Sequence, residues 1–166
     1  NDVECSYRNI LGALESGGET VERILDIGRI AISAEMLGNA ESAFETTIDY
    51  LKQRKQFGVL IGTFQALQHR AAEMFCEIEL TKSAVMAAIH GADENSNELQ
   101  RLSSLAKTIA GETLNLVSNE AIQMHGGIGV TDEYDLGFFI KRSRVAEQIF
   151  GSSTYHTERY ANLSGF

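Results

Sequence analysis

Three short stretches of the sequence contain residue types that together can bind a phosphorylated ligand. The first, "QRKQFG" at 53–58, contains Arg54 and Phe57. The second, "QMHGGIGV" at 123–130, has three glycines within four residues, and the third, "FGSST" at 150–154, has a glycine before three hydroxyl residues. Proteins hold pyrophosphate with arginine forks and with exposed amides at glycines and helix N-termini. The three stretches therefore favour a dinucleotide ligand.

Each stretch also has a purely structural interpretation. Basic residues near a helix C-terminus complement the helix dipole, glycine commonly caps a helix C-terminus, and serine caps the start of a following helix. One glycine is enough for such a cap. The surplus of glycines in the second stretch therefore needs a further reason.

Several other kinds of site and partner do not fit the sequence. None of the four histidines has Glu or Asp three residues before it, as di-iron bundles require, and no His-Glu-x-x-His, Cys-x-x-Cys or Gly-x-Ser-x-Gly occurs, so no metal site is predicted. A net charge of −9 argues against nucleic acid as the main partner. No apolar run approaches the ~20 residues of a membrane span, and no signal-peptide pattern opens the chain. With only two cysteines, the sequence predicts a cytoplasmic protein.

The segments that position these stretches are predicted to be helices. Apolar residues recur at helical spacing from Thr20, which can cap the first helix, to about Arg54, and then over 64–89 and 99–124. Two shorter helices are predicted around 135–149 and 153–163. No segment alternates at period two, so no strands are predicted. The fold class is all-α: an antiparallel up-and-down four-helix bundle with an additional short C-terminal helix.

The N-terminal segment differs from the rest. Residues 1–18 have weak periodicity, end in two glycines and lack an initiator methionine. We expect them to be the tail of a preceding domain or a linker, with the helical domain at 19–166.

Taken together and in this order, "RKQFGVLIGTFQALQHRAAEM", "AIQMHGGIGVTDEY" and "FGSS" resemble the C-terminal helical domain of the flavin-dependent acyl-CoA dehydrogenases. The resemblance covers about residues 20–163, and the spacing from Gly127 to Gly151 fits the family without a gap. It implies a four-helix domain that dimerises and receives the adenine and pyrophosphate parts of FAD from a neighbouring subunit. It also implies an N-terminal helical domain and a middle β-domain, neither of which is in this sequence.

The resemblance also implies which residues contact FAD. Arg54 falls where the family's arginine meets the pyrophosphate, a role that suits a guanidinium fork. Phe57 falls where an aromatic ring packs beside the cofactor, and Thr154 stands where the family often has glutamine. Glycines without a Cβ let the backbone approach the cofactor closely, which gives the surplus glycines a reason. The implied FAD contacts are Arg54, Phe57, Gln65, Gln123, Gly126, Gly127, Ser152 and Thr154.

The chemistry that the resemblance implies is α,β-dehydrogenation of an acyl-CoA thioester. A carboxylate removes the α-proton while a hydride leaves the β-carbon for the flavin, so the base must be desolvated and well placed. The usual seat of this glutamate, just before Gly151, is occupied by Phe150, and the alternative seat on the first helix, just before Arg29, is occupied by Gly28. We expect Arg29 and Gly151 to lie near the substrate. Glu147, one helical turn before Phe150, is the remaining candidate base.

Two classes of function stay open at this point. The first is a domain of an FAD-dependent acyl-CoA dehydrogenase that binds acyl-CoA as a homodimer or homotetramer and passes electrons to an acceptor such as an electron-transfer flavoprotein. In a variant of it, the chain is the non-catalytic subunit of a heteromer whose related subunit supplies the glutamate. The second class is a helical interaction module that has lost the flavin. The joint presence of Arg54, Gln123 and the glycines favours the first class, because packing alone does not need them together.

Overall fold

The long helices follow the three apolar stripes of the sequence. The computed structural model describes residues 2–13 and 15–166. Short 3₁₀ turns occur at Tyr7–Asn9, Ile61–Thr63 and Gly126–Val130. The five helices are α1 (Gly17–Gln53), α2 (Gln65–Asp93), α3 (Leu99–His125), α4 (Leu136–Gln148) and α5 (Ser153–Leu163). The all-α bundle of four helices with a short C-terminal helix is thus confirmed.

The first helix begins earlier than the sequence predicts. It starts at Gly17, with Ser16 in the N-cap position, so the prediction that Thr20 caps the helix is wrong. The Thr20 hydroxyl lies within the first turn and donates to the Ser16 carbonyl at 3.3 Å. Two glycines look like a linker in the sequence, but each is only about 0.5–1 kcal/mol less favourable than alanine in a helix, so they do not prevent a first turn.

A small β-hairpin joins α1 to α2, where no strands were predicted. Strand β1 (Lys55–Gln56) pairs antiparallel with β2 (Val59–Leu60). The two turn residues, Phe57 and Gly58, have φ values of 54° and 80°, as a type I′ turn requires. Strands of two residues are too short to show any alternation in the sequence, which is why the pattern missed them.

The core lies between the long helices and contains many small side chains. Met36, Met74 and Leu114, one from each of the first three helices, are almost completely buried in it. Ala40 and Ala110 in the same cluster let the helix backbones approach closely. A second, smaller cluster packs nearer the start of α1: Ile30, Val85, Ala88, Leu99 and Ala106.

Contacts between helix ends fix the direction of each helix. The Tyr50 ring, near the end of α1, stacks on His125 at the end of α3, with ring centroids 4.2 Å apart. Near the opposite end, the Ser103 hydroxyl of α3 donates to Asp26 of α1 at 2.7 Å. Helices α1 and α3 therefore run in the same direction, and α2 and α4 run back between them. We call the end with the β-hairpin the hairpin end, and residues 149–152 the α4–α5 turn.

Candidate functional site

Arg54 is held at the hairpin end by the backbone around it. It is the C-cap residue of α1, its amide donates to the Tyr50 carbonyl at 2.9 Å, and its carbonyl accepts from the Ile61 amide at 2.9 Å. Its side chain is exposed and forms none of the salt bridges found within the described residues. A positioned guanidinium with free donors suits an anionic ligand.

An exposed aromatic side chain lies next to this arginine. Phe57, at the tip of the hairpin, is 91% exposed, and its nearest aromatic neighbour is Phe64, with centroids 6.3 Å apart. Left-handed backbone is uncommon for a bulky residue, and exposure of a whole phenyl ring to water is unfavourable. The hairpin turn accounts for the backbone conformation, and the exposure is explained if another molecule covers the ring.

The three glycines after α3 turn out to have three different reasons. Gly126 has φ 65° and ψ −143°, a conformation open almost only to glycine. At Gly129 a Cβ would lie 2.8 Å from the Ile122 carbonyl oxygen, so packing within the chain requires glycine there. Gly127 has ordinary backbone and no atom within 4 Å of where its Cβ would be. Neither the backbone conformation nor the packing of the described residues needs a glycine at 127, as the predicted clearance for a ligand requires.

The Tyr50–His125 stack brings the first two stretches together. The Tyr50 hydroxyl donates to the His125 carbonyl at 3.3 Å, and the Tyr134 ring packs edge-on against His125 at 4.8 Å. The exposed Gln123 lies in the last turn of the same helix. Gln65, also exposed, begins α2 just beyond the hairpin. The six predicted contacts at this end of the bundle are Arg54, Phe57, Gln65, Gln123, Gly126 and Gly127.

The third stretch lies elsewhere, at the α4–α5 turn. Phe150 has φ 60°, and its ring lies over Gly28 of α1, where an added Cβ would be only 2.9 Å from two ring carbons. The two positions that the family resemblance gives for the catalytic base therefore face each other across one small volume. Here a phenyl ring and a glycine occupy it, and neither can accept a proton.

Side chains from three helices hold the backbone of this turn. The Phe150 carbonyl accepts from Nε2 of His156 (α5) at 3.0 Å and lies 3.5 Å from Nε of Arg29 (α1). The Lys107 ammonium (α3) donates to the carbonyls of Glu147 at 3.1 Å and Gly151 at 2.9 Å. The turn is therefore held by hydrogen bonds from these side chains to backbone carbonyls, and not by regular secondary structure.

Arg29 itself belongs to a buried ion network. Its NH1 lies 2.7 Å from Asp26 and 3.0 Å from Glu22, and Arg159 of α5 lies 3.0 Å from the same aspartate. Burial alone would lower the pKa of Arg29, but the hydrogen bonds to Asp26 and Glu22 raise it above its ordinary value. Arg29 therefore stays charged beside Phe150.

Glu147 has a structural role that leaves it poorly suited to act as a base. Its carboxylate accepts from the Ser153 amide at 2.7 Å and from the Ser153 hydroxyl at 3.1 Å, so it caps the start of α5. The Ser152 hydroxyl, in the N-cap position, accepts from the Tyr155 amide at 3.3 Å. Thr154 is exposed in the first turn of α5. We do not propose Glu147 as the base.

The structure separates the predicted FAD contacts into two groups. Arg29, beside the α4–α5 turn, and Arg54, at the hairpin end, are about 37 Å apart along α1, since a helix rises ~1.5 Å per residue. Ser152, Thr154 and Phe150 therefore lie far from the six contacts of the hairpin end. Both groups cannot surround one cofactor molecule within a single chain.

The comparisons with known proteins decide what this domain is. A family model for the acyl-CoA dehydrogenase C-terminal domain matches residues 15–163. The chain belongs to this family. Probable acyl-CoA dehydrogenase YngJ of Bacillus subtilis is 35% identical over 95% of this chain and 41% of its own length. Subunit CarC of the caffeyl-CoA reductase-Etf complex of Acetobacterium woodii is 34% identical over 92% of this chain and 40% of its own length. The solved structure of butyryl-CoA dehydrogenase from Megasphaera elsdenii matches with a TM-score of 0.91 at 28% identity, over 98% of this chain and 42% of that one.

The resemblance to the acyl-CoA dehydrogenases, found from the sequence, is thus confirmed, together with the helical C-terminal domain that it implied. The chain spans about two fifths of the length of each relative named above. In the part of the chain that the structure describes, no helix is long and apolar enough to cross a membrane.

Sequence reasoning missed the buried polar groups behind the α4–α5 turn. Ser103, Ser104 and Lys107 lie on the buried face of α3, and Lys107 is four residues after Ser103 and three after Ser104, inside a segment whose pattern is that of an apolar stripe. A lysine on the inner face of an amphipathic helix is a signal that was available, because such a charge needs a buried partner. Its partners, 40 and 44 residues further along, were not predictable from that signal.

His156 gives this end of the domain a pH-dependent stability. Burial lowers its pKa from 6.5 to about 4, and the charges of Arg29, Lys107 and Arg159 also lower it. Because Nε2 faces the Phe150 carbonyl, we assign the hydrogen to Nε2 of the neutral ring.

The folded pKa of His156 is below its unfolded value, so its contribution to stability is complete above pH 6.5 and is lost as the pH falls toward 4. The expected loss is up to about 3 kcal/mol. Urea unfolding at several pH values should show a steeper fall in the free energy of unfolding for the parent than for His156→Gln, which cannot titrate. Equal slopes in the two proteins would contradict the assignment.

Proposed function

We propose that this domain binds FAD in an acyl-CoA dehydrogenase that oxidises the α,β-bond of an acyl-CoA thioester. The observation that carries the proposal is the group of exposed residues at the hairpin end, where the side chains of Arg54 and Phe57 are exposed and Gly127 is not required by packing within the chain. The family membership supports the same cofactor. When bound, FAD would supply the acceptor for the substrate hydride.

This chain's residues would hold the cofactor in specific ways. Arg54 would bind the pyrophosphate through two parallel N–H bonds, and Gln123 would add an amide donor beside the open backbone of Gly126 and Gly127. The Phe57 ring would pack against the cofactor and become covered. Ser152 and Thr154 would contact a second FAD molecule, because they lie far from the hairpin end.

The separation of the two groups supports an assembly of at least two chains. If each FAD lies between the hairpin end of one subunit and the α4–α5 turn of another, both groups are used and each site is completed by the neighbour. We therefore propose a homodimer or homotetramer. Exposed apolar side chains offer contact surface for it, among them Phe75 and Leu80.

The electron acceptor and location follow by analogy. CarC, one of the relatives, is named as a subunit of a complex with Etf, and we propose an electron-transfer flavoprotein as the acceptor here as well. The two cysteines, Cys5 and Cys76, are exposed free thiols, which agrees with the cytoplasm as the proposed location.

A second candidate function is that of a non-catalytic subunit. The observation that favours it is the Phe150 ring over Gly28, which leaves both seats of the base without a carboxylate. In such a heteromer this chain would contribute cofactor contacts, and a related subunit would contribute the glutamate. The two candidate functions have the same FAD site. They differ only in whether the protein oxidises acyl-CoA without a related subunit.

Gly127→Ala tests the FAD site with little effect on the fold. The added methyl meets no atom of the chain, so the stability of the domain should change by less than about 0.5 kcal/mol. Crowding against the cofactor should cost about 1–3 kcal/mol, or roughly five- to 150-fold in FAD affinity. Flavin titration of the apoprotein that contains this domain measures the effect.

Gly38→Ala is the matched control, because Gly38 is exposed on α1 and also has open space around its Cβ position. It should leave FAD affinity unchanged. If Gly127→Ala binds FAD as tightly as the parent and the control do, the backbone at Gly127 does not approach the cofactor.

A further inference from the structure

Lys107 is the largest completely buried side chain in the described part of the protein. An ammonium group is costly to bury unless its hydrogens are bonded. Its hydrogen bonds go to the carbonyl oxygens of Glu147, in the last turn of α4, and Gly151, beyond the end of that helix. Carbonyls at a helix C-terminus carry partial negative charge, so they compensate the buried cation.

The two carbonyls that Lys107 holds are on either side of the strained part of the turn. Phe150 has φ 60°, in the left-handed region that non-glycine residues rarely adopt, and Gly151 has φ 111°. Strained conformations of this kind persist only where the surrounding structure determines them strongly. A rotation of the backbone at Phe150 would move the Gly151 carbonyl relative to that of Glu147 and break one of the two bonds.

We propose that Lys107 is a positioning residue that holds the α4–α5 turn and so fixes the direction of the side chain at position 150 over Gly28. The Lys107 ammonium acts from α3 on the carbonyls of Glu147 and Gly151, whereas His156 and Arg29 contact the carbonyl of Phe150 between them. Burial lowers the pKa of Lys107, and the charge of Glu147 partly offsets that effect. The importance of position 150 for flavin chemistry rests on the proposed function, but the positioning role of Lys107 does not.

A tryptophan placed at position 150 tests the positioning role directly. The chain contains no tryptophan, so Phe150→Trp introduces a single reporter, and Phe138→Trp, on the exposed side of α4, provides a reporter away from the turn. In the Phe150→Trp chain, adding Lys107→Met should lower the fluorescence anisotropy and raise the acrylamide quenching constant. In the Phe138→Trp chain the same substitution should change neither quantity.

Two further variants make the result decisive. Lys82→Met removes an exposed lysine paired with Glu41 and should leave the reporter at 150 unchanged. Lys107→Gln keeps an N–H donor on a shorter side chain and should give an intermediate quenching constant. If Lys107→Met does not fold, Lys107→Gln takes its place in the experiment. Unchanged anisotropy and quenching at 150, or equal changes at 150 and 138, would overturn the proposal.

A second measurement uses the flavin-loaded protein that contains this domain. In the Phe150→Glu background, adding Lys107→Met should slow flavin reduction by acyl-CoA about 10²-fold, since a small displacement of a catalytic group has an effect of this size. The affinity for FAD should not change. An unchanged reduction rate would overturn the proposal. If Phe150→Glu shows no reduction at all, position 150 is not a seat of the base in this protein, and the tryptophan reporters decide the role of Lys107 alone.

Discussion

Phe150→Glu is expected to add a general base to the proposed flavin site of the protein that contains this domain. The glutamate would project from the same left-handed backbone over Gly28, in the volume that the phenyl ring occupies now. A positioned general base contributes typically ~10²–10⁴-fold to a proton abstraction. Anaerobic mixing with acyl-CoA should therefore bleach the flavin of Phe150→Glu at least about a hundredfold faster than that of the unmodified protein purified without any partner.

Phe150→Gln is the matched control for this experiment. Its side chain has the length and shape of glutamate but cannot take up the α-proton, so it should bleach no faster than the parent. Rapid bleaching of the unmodified homomeric protein would contradict the expectation and show that a base lies elsewhere. Faster bleaching only after a related subunit is added would support the non-catalytic subunit as the function of this chain.

An element of the fold could be predicted from the sequence only where its hydrophobic pattern repeats over enough residues to be recognised. The stripes of α2 and α3 repeat over many turns, so helix type and order followed from spacing alone. The hairpin could not be found in this way, since it consists of four paired residues and its turn places a phenylalanine, not an asparagine, in left-handed backbone. The sequence predicts the start of α1 at Thr20 because the preceding glycines resemble a linker, whereas the helix begins at Gly17.

The candidate site shows a similar limit. The resemblance to the family identified both Gly28 and Phe150 as positions of the base. Nothing in the sequence shows that the Phe150 ring lies over Gly28, which is 122 residues earlier in the chain. That contact depends on the backbone of the α4–α5 turn, which Lys107 and His156 hold from other helices. Long-range side-chain contacts of this kind arise from packing and leave no local pattern.

The grouping of the three motif stretches was predictable in principle. In an up-and-down bundle, the ends of the first and third helices meet at one end, whereas the end of the fourth helix lies at the other. Arg54 and Gln123 follow the first rule, and Ser152 follows the second. This parity places the two groups of residues at opposite ends of the bundle, which supports the proposal that a second chain completes each FAD site.

Arg54→Ala is expected to weaken FAD binding strongly while the fold is kept. The side chain is exposed and forms no salt bridge within the described residues, so its loss should not affect the helical circular dichroism. Hydrogen bonds to a charged group typically contribute ~1.5–3 kcal/mol, which corresponds to a loss of roughly ten- to a hundredfold in affinity. On dilution and gel filtration, the variant should lose flavin that the parent retains.

Arg142→Ala separates this effect from a general loss of positive charge. Arg142 is another surface arginine, but it pairs with Glu35 on α1 through Nε at 2.5 Å and lies on α4, away from the hairpin end. Its removal should leave the FAD dissociation constant within about twofold of the parent, because an exposed ion pair contributes only ~0–1 kcal/mol. If both variants lose flavin equally, the effect is one of net charge. If Arg54→Ala keeps its flavin as well as the parent does, the hairpin end is not where the pyrophosphate binds.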